Sequence, residues 1–226
     1  MSEEQRRQLD AQLWGIANLL RGKVDPDDYR DYILGFIFYK YLSEKVELWA
    51  DRLLQHDGIR YRDLATHPGS ADLLADLRHD SVDALGFFLA PQQLFTVLAQ
   101  KGNEHTPGHE DLLADLEMVF RDIESSVAGK DSEEDFNGLF DEIDLDSSKL
   151  GKTDSAKRRL IGKVLIHLDK IDFKLEDSSV DVLGDGYIWL ISQFASGAGK
   201  KAGEFYTPQQ VSSVLAQLVT VGKTQL

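Results

Sequence analysis

The sequence predicts a mainly α fold: a multi-helix N-terminal domain of about eight to ten helices with at most a short strand pair, ending at the first helix of a second domain. Three observations carry this. Apolar residues recur at three- and four-residue spacing through most of the 226 residues. Only residues 85–90 form a strand-like apolar run, ending at Pro91. Near the end, a glycine-rich, lysine-bearing loop runs into an aromatic pair and then a helix start, as the opening of a different unit would. The expected boundary separates residues 1–196 from residues 197–226.

Leu9, Leu13, Ile16 and Leu20 mark the stripe of a first helix, with Gly22 as its stop. Asp25 and Pro26 open a second, whose first turn holds Asp27 and Asp28 where the helix dipole favours negative charge. This helix runs through Ile33, Phe36, Ile37 and Leu48 towards Gly58 and is apolar almost all the way round, which predicts a central position. Residues 56–70 read as loop, and residues 70–78 as a short helix. Pro91 is expected to start a helix over residues 92–100, and residues 101–109 read as loop. A further helix is expected over residues 110–127, with Leu113, Leu116, Val119, Phe120 and Ile123 inward. Residues 131–146 hold eight acids and no base, interleaved with Phe136, Leu139, Phe140, Ile143 and Leu145; those apolar anchors predict short amphipathic turns docked on the body. Helices are expected over residues 155–171 and 180–194, the latter with Gly184 and Gly186 inside it.

The chain has a formal net charge of −14 and no cysteine. Disulfides and thiolate metal sites are thereby excluded, and a reducing compartment, the cytoplasm, is the natural expectation. Residues 1–12 carry Glu3, Glu4, Arg6, Arg7 and Asp10, which does not fit a signal peptide, and no apolar stretch is long enough to span a membrane. An acidic chain is a poor indiscriminate DNA binder, because phosphate contacts need Lys and Arg. Any nucleic acid must meet a local basic face or another subunit, and weak or no DNA binding by the isolated chain is expected.

The local basic face has one candidate. Residues 149–163 carry Lys149, Lys152, Lys157, Arg158, Arg159 and Lys163 against the single acid Asp154. Two readings stand: contact with a DNA backbone, for which Lys157, Arg158 and Arg159 are the candidates, or a solvated helix face pairing with the acidic 131–146 segment. Familiar catalytic patterns are missing. His105 and His109 are separated by Pro107 and Gly108 and no HExxH spacing occurs, so no metal site is expected. Both Gly-Lys-Thr triplets, at 151–153 and 222–224, lack the first glycine of a phosphate loop, with Asp146 and Gln217 in its place.

The loop near the end is different. Thr207 suits an N-cap, Pro208 the first helical position, and Gln210 completes a capping-box spacing. Gly199 and Gly203 let the backbone approach a ligand, beside Lys200 and Lys201. The residues alone also admit a plainer reading, with Phe205 and Tyr206 in a core, Thr207 only a cap, and the lysines solvated.

The string AGKKAGEFYTP at residues 198–208 resembles the loop leading into the methyltransferase domain of the modification (M) subunits of type I restriction–modification systems. DYRDYILGFIFYKYLSE at residues 28–44 resembles that family's signature near the start of its helical domain, and DVLGDGYIWLI at residues 181–191 resembles the helix before the loop, departing from it at Gly186 and Trp189. The three stand in the family's order. The resemblance implies the N-terminal domain of an S-adenosylmethionine-dependent DNA adenine-N6 methyltransferase subunit, helping to clamp DNA and to dock with a specificity (S) subunit, a second M subunit and the restriction (R) subunit. It implies that Glu204, Phe205, Tyr206, Thr207 and Pro208 border the cofactor and that Lys200 and Lys201 approach phosphate. It further implies that the α/β sheet begins just beyond Leu226. The glycine-rich cofactor loop and the Asn-Pro-Pro-Phe-like motif that holds the flipped base are absent from these residues, so no catalytic residue is expected among them and the 226 residues alone are expected to be inactive. The competing expectation is a free-standing helical interaction module unrelated to methylation.

Overall fold

The computed structural model describes residues 3–20, 26–176, 184, 207 and 209–221. Among them the fold is helical and no strand forms. Helix α1 spans Glu3–Leu20 and buries the expected stripe of Leu9, Leu13, Ile16 and Leu20. Helix α2, Pro26–Leu54, is the axis of the body. Ile33, Phe36, Tyr39, Val46 and Ala50 on it are fully enclosed, and it touches α1 as well as the helices that follow. Burying so many large apolar side chains on one helix, at about 1.5–3 kcal/mol each, makes α2 the main source of core stability.

Helix α3 spans Ser70–Leu85 and ends on Gly86 in the left-handed region, φ 85°. It outlasts the expected end at residue 78 because only Leu77 and Ser81 are buried on it, so its polar residues lie on an exposed face where a helix tolerates them. The supposed loop at 56–70 is also partly structured. A 3-10 stretch over Tyr61–Thr66 buries Tyr61 and Leu64, and Asp51 Oδ1 accepts from the Tyr61 N–H at 2.6 Å.

The strand expected over residues 85–90 does not form. Residues 87–90 are extended and apolar, but side chains rather than a neighbouring strand satisfy their backbone. The Ser81 hydroxyl donates to Phe87 O at 2.7 Å, and Tyr61 Oη donates to Leu89 O. The Phe88 N–H donates to Ser126 Oγ at 3.1 Å, and the Ala90 N–H to Gln93 Oε1 at 3.0 Å. A short 3-10 turn at Pro91–Gln93 then leads into α4, Phe95–Lys101, where Ser43 Oγ of α2 accepts from the Phe95 N–H at 2.7 Å.

Helix α5, Leu112–Ser126, buries Leu116, Val119, Phe120 and Ile123 as its periodicity predicts, whereas Leu113 is only partly buried. Tyr39 of α2 sits in the centre, its ring 5.2 Å from Phe95 and 5.8 Å from Phe120, centroid to centroid. Its hydroxyl donates to Gln93 O at 2.5 Å. Burial, with Asp115 nearby, holds the Tyr39 phenol well above its ordinary pKa.

The acidic segment docks as expected. A single short helix, α6 (Glu133–Phe136), is followed by turns, and Phe136, Phe140 and Leu145 are buried. Phe140 stacks on Phe120 with centroids 4.3 Å apart and planes 13° from parallel. Ile143 fills the space that Gly35 of α2 leaves open, where any Cβ would collide with it. Tyr32 Oη of α2 donates to Asp144 O at 2.5 Å.

Helix α7, Asp154–Leu168, starts on Thr153, whose side chain accepts from the Ala156 N–H at 3.2 Å. It packs against α1, α2, α4 and α5. The crossing with α4 is a contact of two backbones: Gly162 lies against Gly102, the C-cap of α4. Helix α8, Gln209–Thr220, lies two residues after Thr207. Of the helix expected over residues 180–194 only Gly184 is described, in helical conformation, and the loop at 199–206 with Pro208 lies outside the described residues.

Candidate functional site

The structure divides the basic run on α7. Lys157 points inward: its residue is 9% exposed, and its Nζ donates to Asp146 O at 2.6 Å, with Asp146 Oδ1 at 3.5 Å and Asp154 Oδ1 at 3.6 Å. Its expected role at a DNA backbone is therefore corrected. The amine is spent fastening the end of the acidic segment to the first turn of α7 and is not available to an outside phosphate. Arg159 is exposed but engaged, with Nε 2.7 Å from Glu104 Oε1 and Nη2 donating to Glu104 Oε2 at 3.1 Å. That two-point geometry holds an arginine more firmly than a single contact does. Arg158 is half-buried, and its Nε is enclosed without a hydrogen-bond partner among the described residues.

The remaining lysines face outward. Lys149, Lys152 and Lys163 are exposed and, with Arg159, line an open groove of about 370 Å³ whose other walls are Ser148, Leu150, Gly151, Ala156 and Leu160. The signal that separates these lysines from Lys157 was present in the spacing. Positions 156, 159 and 163 share one helical face, with Lys152 just before the N-cap, and 157 falls on another side, with Ile161, Val164 and Leu168 buried around it.

A second cleft of about 340 Å³, beside α5, is lined by Glu117, Arg121, Glu124, Asp141, Asp144 and Asp146. No group of three His, Asp or Glu residues is arranged to hold a metal ion among the described residues. No helix of the described residues is long and apolar enough to cross a membrane.

On α2, Lys40 is 3% exposed, pairs with Glu44, and lies over the rings of Phe95 and Phe173 at 5.5 and 5.2 Å. Burial raises the Glu44 carboxyl pKa, against the opposing pull of Lys40. The lysine that interrupts the apolar run of α2 is thus a core residue with a partner one turn on. Neither composition nor periodicity pointed to that role.

Of the residues expected around a cofactor, Thr207 is exposed just before α8, while Glu204, Phe205, Tyr206 and Pro208, together with Lys200 and Lys201, lie outside the described residues. The N-terminus of a helix such as α8 attracts polar and anionic groups in general. Its apolar residues are uncovered: Val211, Val214, Leu215, Leu218 and Val219 are 48–67% exposed.

Among the described residues the chain is an all-helical protein that carries a basic groove beside α7 and, in α8, a helix with exposed apolar residues. Residues 9–168 match the HsdM N-terminal domain family, and residues 178–225 match the N-6 DNA Methylase family. The chain belongs to the methylase subunits of type I restriction–modification systems. It is 35% identical to the type I restriction enzyme MpnII methylase subunit of Mycoplasma pneumoniae, over 97% of this chain and 40% of that protein. It is 25% identical to the type I restriction enzyme MjaVIII methylase subunit of Methanocaldococcus jannaschii, over 90% of this chain and 30% of that one. Its fold superposes on the crystal structure of the type I restriction-modification methyltransferase subunit of Streptococcus thermophilus with a TM-score of 0.79 and 34% identity, over 96% of this chain and 44% of that chain. The chain thus spans about two fifths or less of the length of the curated relatives it matches. The alternative of a helical module unrelated to methylation is not favoured.

Proposed function

We propose that residues 1–196 form the helical N-terminal domain, and residues 197–226 the opening, of a subunit that methylates adenine N6 in DNA with S-adenosylmethionine. The observation that carries this reading is the succession of two family matches in one chain, the helical domain first and the methylase second. The cofactor supplies the activated methyl group when bound. This chain's part is one wall of its pocket, with Glu204, Phe205, Tyr206, Thr207 and Pro208 bordering it; the exposed position of Thr207 just before α8 supports that placement. In this reading the helical domain helps clamp DNA, with Arg158 near the backbone and Lys200 and Lys201 of the following segment close to it. It also docks with an S subunit, a second M subunit and the R subunit, in the cytoplasm.

Pulling the target base out of the stack costs a few kcal/mol, so a methylating subunit needs a clamp that holds the duplex while the base is extruded. The test is to co-purify the protein, in its natural full length, with the neighbouring S subunit and to assay methyl transfer from labelled cofactor to adenine. Transfer that requires both proteins is expected. Failure with cofactor and both proteins present would remove the reading.

A further inference from the structure

From the groove at the start of α7 we infer a binding site for a nucleic-acid phosphate backbone, with Lys152 and Lys163 as its principal contacts and Lys149 and Arg159 on its rim. The inference rests on the proposed DNA-methylating function and names the surface that takes the duplex.

Charge is the first support. In a chain of net charge −14, the run 149–163 holds six bases and one acid, and its nearest acids already serve other bases. Asp154 and Asp146 lie against Lys157, and Glu104 is held by Arg159. Lys152 and Lys163 form no ion pair with a described residue, and both side chains are exposed.

Shape is the second. The groove is open, with an apolar floor at Leu150 and Leu160 and small residues at Gly151 and Ala156, so a ligand can settle between the lysines. The cations follow one face of the helix. Ala156 and Lys163 are about two turns apart, roughly 10 Å along the axis at 1.5 Å per residue, and Lys152 extends the row past the N-cap. Charges strung over that length suit a polymer of phosphates better than a single anion, for which they would have to converge on one point.

The site differs from the one composition suggested. Lys157 is withdrawn into the body and Arg159 is shared with Glu104, so the residues that meet phosphate are the two lysines flanking them on the outer face.

The experiment uses the full-length protein assembled with its S subunit and a 30-base-pair duplex. Affinity is measured by fluorescence anisotropy from about 50 to 200 mM salt. The double variant Lys152→Glu/Lys163→Glu is compared with wild type and with Lys45→Glu/Lys130→Glu, which makes the same change in net charge away from the groove. Two lost phosphate contacts should flatten the slope of log K against log salt by about 1.8, at about 0.9 per contact, and weaken binding at least roughly tenfold at low salt. The control pair should shift both far less. Equal slopes in the two double variants would overturn the site even if wild type methylates DNA, leaving the methylase reading intact. A flattened slope without methyl transfer by wild type would keep the site and remove that reading. No binding by wild type would overturn the site, as would loss of the S subunit from the groove variant with the DNA slope unchanged, which would mark a protein-docking surface.

Discussion

The same substitution, glycine to alanine, should act with opposite sign at two helical positions of this protein. In α1, a Cβ on Gly15 would meet nothing within 4 Å. Alanine there should stabilise by about 0.5–1 kcal/mol, because glycine loses more backbone freedom on forming helix. In α7, a Cβ on Gly162 would collide with Gly102 O and lie 2.9 and 3.0 Å from Gly102 Cα and C. All three are backbone atoms, so no side chain can swing away. The end of α4 would have to retreat by roughly 0.5–1 Å to reach an ordinary carbon contact of about 3.5–4.0 Å. A gap of that size forfeits about a quarter to a half of each dispersion contact across the α4–α7 interface, where Leu98, Ala99, Ile161 and Leu165 are buried. Overpacking at the upper end of its usual range, about 3 kcal/mol, offset by about 1 kcal/mol of helix propensity, leaves Gly162→Ala about 2 kcal/mol less stable than wild type. The two variants should therefore differ by about 3 kcal/mol, which at an m-value of about 1–3 kcal/mol per molar separates their urea midpoints by about 1 M or more. Equilibrium urea unfolding followed by circular dichroism measures this directly. A Gly162→Ala protein as stable as Gly15→Ala, with an unchanged m-value, would refute the argument that the two backbones touch.

Three further outcomes follow from the packing and the capping. Thr153→Ala removes the cap of α7 and should cost about 1 kcal/mol in the same urea assay, whereas Thr153→Ser should lose much less. Phe140→Ala breaks the stack on Phe120 and should cost about 3–5 kcal/mol, with the acidic segment cut earlier in limited proteolysis; unchanged cleavage there would contradict its docking. For Glu44, burial raises the folded-state pKa above the unfolded value of about 4.3. Its contribution to stability is then fully present below that value and is lost as pH rises through the raised folded pKa. The stability of wild type relative to Glu44→Gln should accordingly fall as pH rises through this window in a pH series of urea melts, and a rise would contradict the sign.

The long helices were legible because each buries a stripe at helical spacing, and Leu9 to Leu20, Ile33 to Ala50, and Leu116 to Ile123 occupy the places that spacing requires. Residues 87–90 were misleading for a physical reason. A short buried apolar run looks the same whether its backbone is satisfied by a strand or by Ser81, Tyr61, Ser126 and Gln93, and those partners come from four different places in the chain. The stretch Tyr61–Thr66 was hidden because a 3-10 segment of that length has no periodicity long enough to read. At the site, helical spacing sets Lys157 on the side of Ile161, Val164 and Leu168, away from the groove, but its role as a fastener depends on one long-range acceptor, the carbonyl of Asp146, which no local pattern announces.

That acceptor links the two charged segments. Phe136, Phe140 and Leu145 seat the acids of 131–146 against α2 and α5, and Lys157 fastens their last residue beside the start of α7. Positive and negative surface are thereby fixed next to each other instead of neutralising one another. Screening at about 0.1 M salt extends over roughly 10 Å, so a phosphate polymer approaching the groove senses Lys152 and Lys163 while those acids facing other directions are largely screened. A duplex approaching the acidic cleft beside α5 is repelled by Glu117, Glu124 and Asp141. On the proposed reading, the strongly acidic composition, which argues against indiscriminate DNA binding, would serve orientation: it would confine a polyanion to one face of α7, and the confinement would weaken as salt is raised.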